Sequence, residues 1–587
     1  MRYARAACVP GCDATFKVFH TMPSPSLRLP LAVAAACLTA VAYAQTPQVP
    51  QASQVTPRDL RPDLPAKPPV TVPEVPSQQA PAKSDQVFVS VAAVTVDDAF
   101  QELGPPTQAL LPTYIGHRIA VAEFYKLAAA IEALYQRAGY PLVRVLVVPQ
   151  KLADGGTLHL KVLDGFLERI DAKAVPAATR AQVVRILKPL VGQHHLSSAV
   201  LERALTLAGR LPGLSLRSAL GAGEQTGGAV LTLEGTFAAY GASVEADNRL
   251  TGSLGPWETT IQLRVNQPSL RGEQFYGYVS SGPDWSKALI QDVAARRVAG
   301  GGVLIPVGTS GLQVNPEYTW SDTKPRVPGG TLPTESQFER YTLRVSYPLL
   351  LDHVQELTLT ATADATNQSN SAPLFGVTFT QDRLRIGRLA LDWSGDVPTG
   401  HLRLSATGSQ GSAGFGARTW TDVHTSEVGF SRVNMDPTFT KLELSLSLMQ
   451  ALPAQLQSAL TLRGQAAKGI LPSSELFSLD GEDALSTYTS GAISDDGGYS
   501  VREELARQFS LSLDGKPLGL APYVFGAVGK TTTKLPTTQT AGFSAAYGIG
   551  VRANCDVTTL SAEYGRRQAR PDEMDGNQFF LKAQVQF

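Results

Sequence analysis

From about Phe237 to Phe587 the chain alternates apolar and polar residues in one short run after another, with Gly, Asn, Asp and Pro between the runs. Ile261, Leu263 and Val265 alternate with Gln262 and Arg264, and Tyr341, Leu343, Val345 and Tyr347 with Thr342, Arg344 and Ser346. Leu442, Leu444, Leu446 and Leu448 alternate with Lys441, Glu443, Ser445 and Ser447. Successive side chains of a strand point to opposite faces, so each run has one apolar and one polar face. Two folds accept many such strands without helices between them: a soluble sandwich, or a membrane barrel with a wet lumen. A helical membrane protein is set aside, because no apolar run of about 18 residues follows position 45. The mean hydropathy of −0.04 suits a barrel, which hides its lipid face in alternation.

Composition narrows the partners. Lys plus Arg and Asp plus Glu cancel at 51 each in 587 residues. A nucleic-acid binder needs a basic surplus to neutralise phosphates, so no nucleic acid is expected. The four cysteines are Cys8, Cys12, Cys37 and Cys555. The first three fall in a leader, and Cys555 alone forms neither an intrachain disulfide nor a thiolate metal cluster.

The two ends of the chain favour the barrel. Leu29–Ala44 reads LPLAVAAACLTAVAYA behind Arg28 and closes on Ala42-Tyr43-Ala44. A basic start, a short apolar stretch and an A-x-A site make a secretory signal, with Ala42 and Ala44 as the cleavage residues. Met22 gives the more compact start, so residues 1–21 read as an upstream extension. A buried helix is the bland alternative, and a lipoprotein signal through Cys37 would want Leu where Ala34 stands. At the other end Phe579, Leu581, Ala583, Val585 and Phe587 share one face of a closing strand, and Phe580, Lys582, Gln584 and Gln586 share the other. Phe579, Leu581, Val585 and Phe587 are the expected barrel-targeting residues. At roughly 20–22 residues per strand and connection the barrel has close to 16 strands, enough to leave an aqueous channel.

Between the ends lie a tether and two small α/β units. Residues 45–85 carry ten prolines, from Pro47 to Pro81, and cannot bury a core. In the first unit, 86–164, Val87–Val96 alternates as a strand. Ala120–Ala138 places Phe124, Leu127, Ile131 and Leu134 at helical spacing before Gly139, and Leu142–Val148 and Thr157–Val162 follow as strands. The second, 165–236, repeats the order: strand Phe166–Ala174, helices Ala177–Leu190 and Ser197–Leu211, strands Leu214–Leu220 and Ala229–Glu234. Each unit is expected to pack helices on one face of a three-stranded sheet, whose open edges can take up an extended chain. His194-His195 reads as a solvated turn, with no further ligand at metal spacing.

An exported tandem of such units before a large barrel resembles the two-partner secretion (TpsB-type) transporters, the haemolysin and haemagglutinin secretion/activation proteins. The likeness covers nearly everything after residue 86. Gly139-Tyr140, Pro149-Gln150 and Asp154-Gly155-Gly156-Thr157-Leu158 match the family's run in its first unit. Val162-Leu163-Asp164-Gly165 opens the second unit as the family does, and Leu211-Pro212-Gly213-Leu214 matches its "lPGv" stretch. Asp247-Asn248-Arg249 with Thr251-Gly252 resembles the start of the family's barrel. The resemblance implies an α+β then all-β chain: two tandem POTRA (β-α-α-β-β) domains, then a C-terminal transmembrane β-barrel of about 16 strands at 237–587. It also implies a place in the bacterial outer membrane with the POTRA units in the periplasm. The implied partners are a secreted exoprotein, outer-membrane lipid and the barrel-assembly machinery, with no small-molecule cofactor.

The family's most diagnostic element is a loop folded into the barrel and tipped by V-R-G-F/Y. Here Gly481, Leu485, Ser486, Thr487 and Tyr488 align with it, with Ser486 at the Arg position and Thr487 at the Gly position. The wall partner of that Arg is an Asp in F-x-D-x-G; here the strand reads Phe525, Ala527 and Gly529, with Ala527 at the Asp position. Losing only one half of a buried pair would cost roughly 3–5 kcal/mol, so the joint loss is coherent and predicts a loop held by neutral contacts. Relatives often carry a pore-plugging N-terminal helix; residues 45–85 are too rich in proline for one, so a plug is absent or non-helical.

No reaction chemistry competes with this reading. Gly529-Lys530-Thr531 resembles the end of a phosphate-binding loop but has Val524 where the first Gly belongs, and reads as a hairpin loop. Asp495-Asp496 reads as a water-facing pair. No G-x-S-x-G elbow occurs, and the chain is not expected to be an enzyme. The expected function is ATP-independent export of an unfolded partner caught by the POTRA units. A diffusion pore or a barrel-assembly factor is the alternative.

Overall fold

The computed structural model describes Thr56, Leu60 and residues 77–282, 294–326, 332–513, 515–535, 542–570 and 575–587. The expected signal, with Met22, Ala34, Cys37, Ala42 and Ala44, and most of the proline-rich tether lie outside the described residues.

The first unit is built on the helix Val121–Arg137, whose Phe124, Leu127, Ile131 and Tyr135 are fully buried against the sheet. Gly139 ends it at φ +93°, where a side chain would be strained. The sheet has four strands rather than three, in the order Arg118–Ala120, Phe88–Asp97, Gly156–Leu163, Arg144–Val147. The unexpected strand, Arg118–Ala120, pairs with Phe88–Ser90 and is too short to show an alternation. In the second unit Gly228–Phe237 lies between Phe166–Ala174, which it parallels, and Leu214–Ala222, to which it is antiparallel. Helices Ala177–Leu187 and Ser198–Gly209 close its core around Leu167, Val183, Leu187, Leu201 and Leu233.

His194-His195 does more than face solvent. The His195 ring stacks on Phe100 of the first unit at 4.1 Å between centroids, and its Nδ1 lies 2.8 Å from Asp164. His194 reaches the same carboxylate at 3.4 Å, so the pair fastens one unit to the other.

Sixteen antiparallel strands then close a barrel from Tyr240–Asp247 to Gly576–Gln586; one of them breaks at Gln508 into Gly497–Arg507 and Phe509–Leu513, which share the partner Lys516–Thr532. Lys582–Gln586 pair with Ser243–Asp247 to close the ring, and Asn248 clips the seam by donating to Phe579 O and accepting from Leu581 N. The alternation sorts as expected: Tyr341, Leu343, Leu442 and Leu444 are exposed outside while Thr342, Arg344 and Lys441 are buried inside; on Lys516–Thr532, Tyr523, Phe525 and Ala527 are buried inside and Val524 and Val528 exposed outside. On the closing strand Phe579 and Leu581 point outward with Phe580 buried inside; Phe587 is exposed, and Val585 is half-buried. No described helix is long and apolar enough to cross a membrane.

The second unit is bolted to one rim of the barrel. Arg210 grips Glu356 with both terminal nitrogens at 2.8 and 2.5 Å, Arg203 donates to Pro348 O at 2.8 Å, and Gln182 donates to Leu270 O at 2.6 Å. The connections on that rim are short. The long ones, 412–439 and 469–496, therefore lie at the opposite rim.

Candidate functional site: the lumenal loop

The chain between strands Leu456–Lys468 and Gly497–Arg507 turns inward. It makes a two-strand ladder of its own, Phe477–Ser478 with Ser494–Asp495, and has no ladder with the wall. Its tip packs Phe477, Leu479, Leu485 and Tyr488 against the inward faces of Tyr523, Phe525, Ala527 and Ala546. Gly481, at φ +122°, supplies the turn that brings Leu485 N back to Leu479 O at 2.9 Å.

The structure brings every residue of the expected loop and wall motifs to one place. Ser486 and Thr487 have no exposed surface. Tyr488 donates to Gln568 O at 2.6 Å. Thr487 lies over Gly565, where an added Cβ would come within 2.5 Å of its methyl group; at Gly529 one would come within 2.7 Å of Leu479. The wall glycines are therefore the space into which the tip fits.

The missing Arg–Asp pair has a replacement, and it sits in the wall. Arg502 is the direct cross-strand partner of Ala527. Its guanidinium lies 4.2 Å from the centre of the Phe525 ring, donates to Ser486 Oγ at 2.6 Å, and pairs with Glu563 at 3.2 Å and Glu504 at 3.3 Å. A second wall cation, Arg249, donates to Ser486 O at 2.7 Å. The cation thus comes from the strand beside the position where the resemblance expects an acid, and the loop contributes a hydroxyl.

The expectation of purely neutral contacts fails elsewhere on the loop. Glu475, at its root, receives Arg388 through two nitrogens at 2.9 and 2.7 Å and Lys441 at 2.9 Å. Glu482 meets Lys582 at 3.3 Å and Arg249 at 3.4 Å. Asp496, expected to face water, is fully buried: Arg432 binds it at 2.5 and 3.0 Å, and the amides of Leu471 and Lys534 each donate to it at 2.8 Å. Burial of a carboxylate is tolerable only with such partners. Loop acids meeting wall cations reverse the polarity that the resemblance implies.

Two further expectations are corrected or sharpened. Gly529-Lys530-Thr531 lies inside the strand Lys516–Thr532, not in a hairpin loop. Within the proline-rich stretch, Leu60 packs inside the barrel against Tyr276, Tyr278, Val298 and Leu304. The tyrosine rings lie flat over Gly300 and Gly302, where added Cβ atoms would come within 2.4 and 2.6 Å of them. They are tethered by Tyr276 OH to Glu317 at 2.6 Å and Tyr278 OH to Thr319 at 2.9 Å.

Tandem α/β units fixed to a wide barrel with a side-chain-latched loop in its lumen describe an outer-membrane protein transporter, and comparison with known proteins agrees. The profile of the haemolysin secretion/activation protein ShlB/FhaC/HecB family matches residues 234–553, more than half of the chain, and that of the ShlB-type POTRA domain matches 91–165. The chain belongs to this family of haemolysin secretion/activation proteins. It is 24% identical over 441 residues to the haemolysin transporter protein ShlB of Serratia marcescens, covering 74% of each chain. It is 25% identical over 256 residues to the outer membrane transporter CdiB of Escherichia coli, covering 43% of this chain and 41% of the other. The solved structure of CdiB from Escherichia coli superposes with a TM-score of 0.69 at 19% identity, over 97% of this chain and 100% of that one. CdiB from Acinetobacter baumannii gives 0.59 at 14% identity over 95% of this chain and 97% of that one. The protein is a two-partner secretion transporter of the outer membrane with its POTRA region in the periplasm. The rim bolted to the second unit is then the periplasmic one, and the loop enters from outside.

Proposed function

We propose that this transporter captures an unfolded partner exoprotein in the periplasm and passes it outward through the barrel without ATP. One observation carries the reading: the loop fills part of the lumen yet forms no strand ladder with the wall, being fastened by side-chain latches and a backbone hydrogen bond from Ser490 N to Arg249 O at 2.9 Å, so it can withdraw without breaking any strand pairing of the wall. Leu214–Ala222 supports the capture step. It is an edge strand of nine residues, all paired on one side to Gly228–Phe237, and its other side is suited to strand addition by an extended chain. Energy for export comes from folding on the far side, consistent with Gly529-Lys530-Thr531 lying in a strand rather than a phosphate loop. Phe579, Leu581, Val585 and Phe587 serve as the strand the barrel-assembly machinery reads, with Phe579 and Leu581 afterwards facing lipid.

The lumen is narrowed at rest by Leu60 of the transporter's own proline-rich stretch. Leu60 lies in the tyrosine cradle, and near the other end of the stretch Val147 N, on the edge strand Arg144–Val147, donates to Gln78 Oε1 at 2.8 Å. Leu60→Asp removes apolar contact worth about 1–2 kcal/mol and sets a carboxylate near Glu317. It is expected to raise the resting current of single channels in planar bilayers; an unchanged current would show that Leu60 blocks nothing.

The function is tested with photo-crosslinking residues at Arg217, exposed on the Leu214–Ala222 edge, and at Ser445, exposed on the lumenal wall. Capture of the same exported protein at both positions is expected. Capture at neither, in cells that still take up small solutes through the barrel, favours a diffusion pore.

A further inference from the structure

Val298, Gly300, Gly302 and Leu304 are successive inward positions of the strand Arg296–Val307. Its two glycines are filled from the neighbouring strand Gln274–Ser281, where Tyr278 lies opposite Gly300 and Tyr276 opposite Gly302. Each ring reaches across its glycine. Tyr276 OH donates to Glu317, the partner of Gly302 on the far side, and Tyr278 OH meets Thr319, the partner of Gly300. Asn315 Nδ2 also donates to the Tyr276 oxygen, at 3.0 Å. The hydroxyls are thereby committed to the wall, and ring faces remain toward the lumen. Val298, Tyr278, Tyr276 and Leu304 form one apolar strip, and the six residues from Val298 to Leu304, at about 3.3 Å each, make it roughly 20 Å long.

The strip differs from the wall beside it. On the strand Glu258–Asn266 the cross-strand partners of Tyr276 and Tyr278 are Arg264 and Gln262. Rings over glycine stiffen a wall, but that role does not ask for Val298 and Leu304 to continue the apolar surface at both ends. Apolar surface in a wet lumen marks a place that something covers. Among the described residues, the one from outside the wall that packs on it is Leu60, an aliphatic side chain. The lower end of the strip also adjoins the second α/β unit. An added Cβ at Gly272 would come within 3.1 Å of both Leu211 and Pro306, and Pro306 follows Leu304 on the same strand. Leu211 stands just before the edge strand Leu214–Ala222, so a chain leaving that edge meets the strip as it enters the barrel.

We propose that this strip binds aliphatic side chains of an extended polypeptide in transit, and that Leu60 stands in for them at rest. The inference rests on the export reading and names the chemistry that the lumen recognises. Same-face residues of an extended chain recur about every 6.6 Å, the spacing of the positions along the strip. The ligand is therefore a segment with aliphatic residues at alternate positions, the pattern of a strand that has not yet folded.

The test uses the full-length protein in planar bilayers, with Leu60→Ser to uncover the strip. Two soluble peptides, identical except for leucine or serine at alternate positions, are added on the periplasmic side. The leucine peptide is expected to block the Leu60→Ser channel roughly 10-fold longer per event than the serine peptide. In the wild-type channel, where Leu60 competes, it should block less often. Tyr276→Ser with Tyr278→Ser should abolish the preference, and Tyr276→Phe with Tyr278→Phe, which keeps the ring faces, should retain most of it. Heat-modifiable migration on gels shows that each barrel is folded. Equal block durations for the two peptides, or a leucine preference that survives the paired serine variants, overturns the proposal. The measurement does not use secretion, so its failure strikes this proposal alone, whereas the export reading is decided by the exported proteins themselves.

Discussion

Replacing Arg502 by glutamine is expected to free the loop. The guanidinium is buried and serves Ser486, Glu504 and Glu563 at once. Glu504 keeps Arg552 at 2.8 Å, whereas Glu563 keeps the Tyr523 hydroxyl at 3.0 Å and, among the described residues, no ion pair. Stranding a buried carboxylate costs about 3–5 kcal/mol, which offsets part of the tip's apolar burial and shifts the loop toward release. The readout is a cysteine at Thr487 in a Cys555→Ala background, probed on intact cells with a membrane-impermeant maleimide. With Arg502 in place the fully buried tip is expected to stay unlabelled; with Arg502→Gln it should label. Adding Glu563→Gln should restore the barrel's resistance to urea while leaving the tip labelled, because the stranded charge is gone but the latch is not rebuilt. Labelling of the tip in the otherwise wild-type protein would contradict its lumenal placement.

The second large effect concerns the arginine that the resemblance leads one to expect in the loop. Ser486→Arg places a second guanidinium where Arg502 and Arg249 already converge on this residue. Like charges in a buried site repel by several kcal/mol, so the single variant is expected to lose about 3 kcal/mol or more and to secrete poorly. Ser486→Arg combined with Arg502→Ser exchanges the two roles. The loop then carries the cation, Glu563 is its acid, and stability and secretion should recover most of the way to wild type. A double-mutant cycle measures it: a coupling energy near zero would mean that Ser486 and Arg502 do not share one latch.

Much of this was legible in the chain, and the limits have a physical cause. A side-chain period of two sorted inner from outer faces, so that Leu442 and Leu444 could be assigned to one side and Lys441 and Glu443 to the other before any register was known. The loop motif was found only through resemblance, because Ser486 and Thr487 are unremarkable residues by themselves. What escaped was every charge pair that closes over a long stretch of chain. Arg502 and Glu563 are 61 residues apart, Arg432 and Asp496 are 64, and Arg388 and Glu475 are 87. Each depends on which strands stand side by side and on the depth at which a loop ends, and local pattern carries neither. Asp496 illustrates the error: beside Asp495 it looks like a solvated acid, and only the tertiary fold takes it out of water. The prolines of residues 45–85 argue against a helix, yet nothing in their spacing marks Leu60 as the residue that meets Tyr276 and Tyr278.

The central claim is that this barrel exports a protein. Its most direct test compares secreted and surface-released proteins from cells with and without the chain by quantitative mass spectrometry. The account predicts the loss of one or a few large exoproteins on deletion, restored by the wild-type chain. An unchanged set of exported proteins, with altered uptake of small solutes instead, would contradict it.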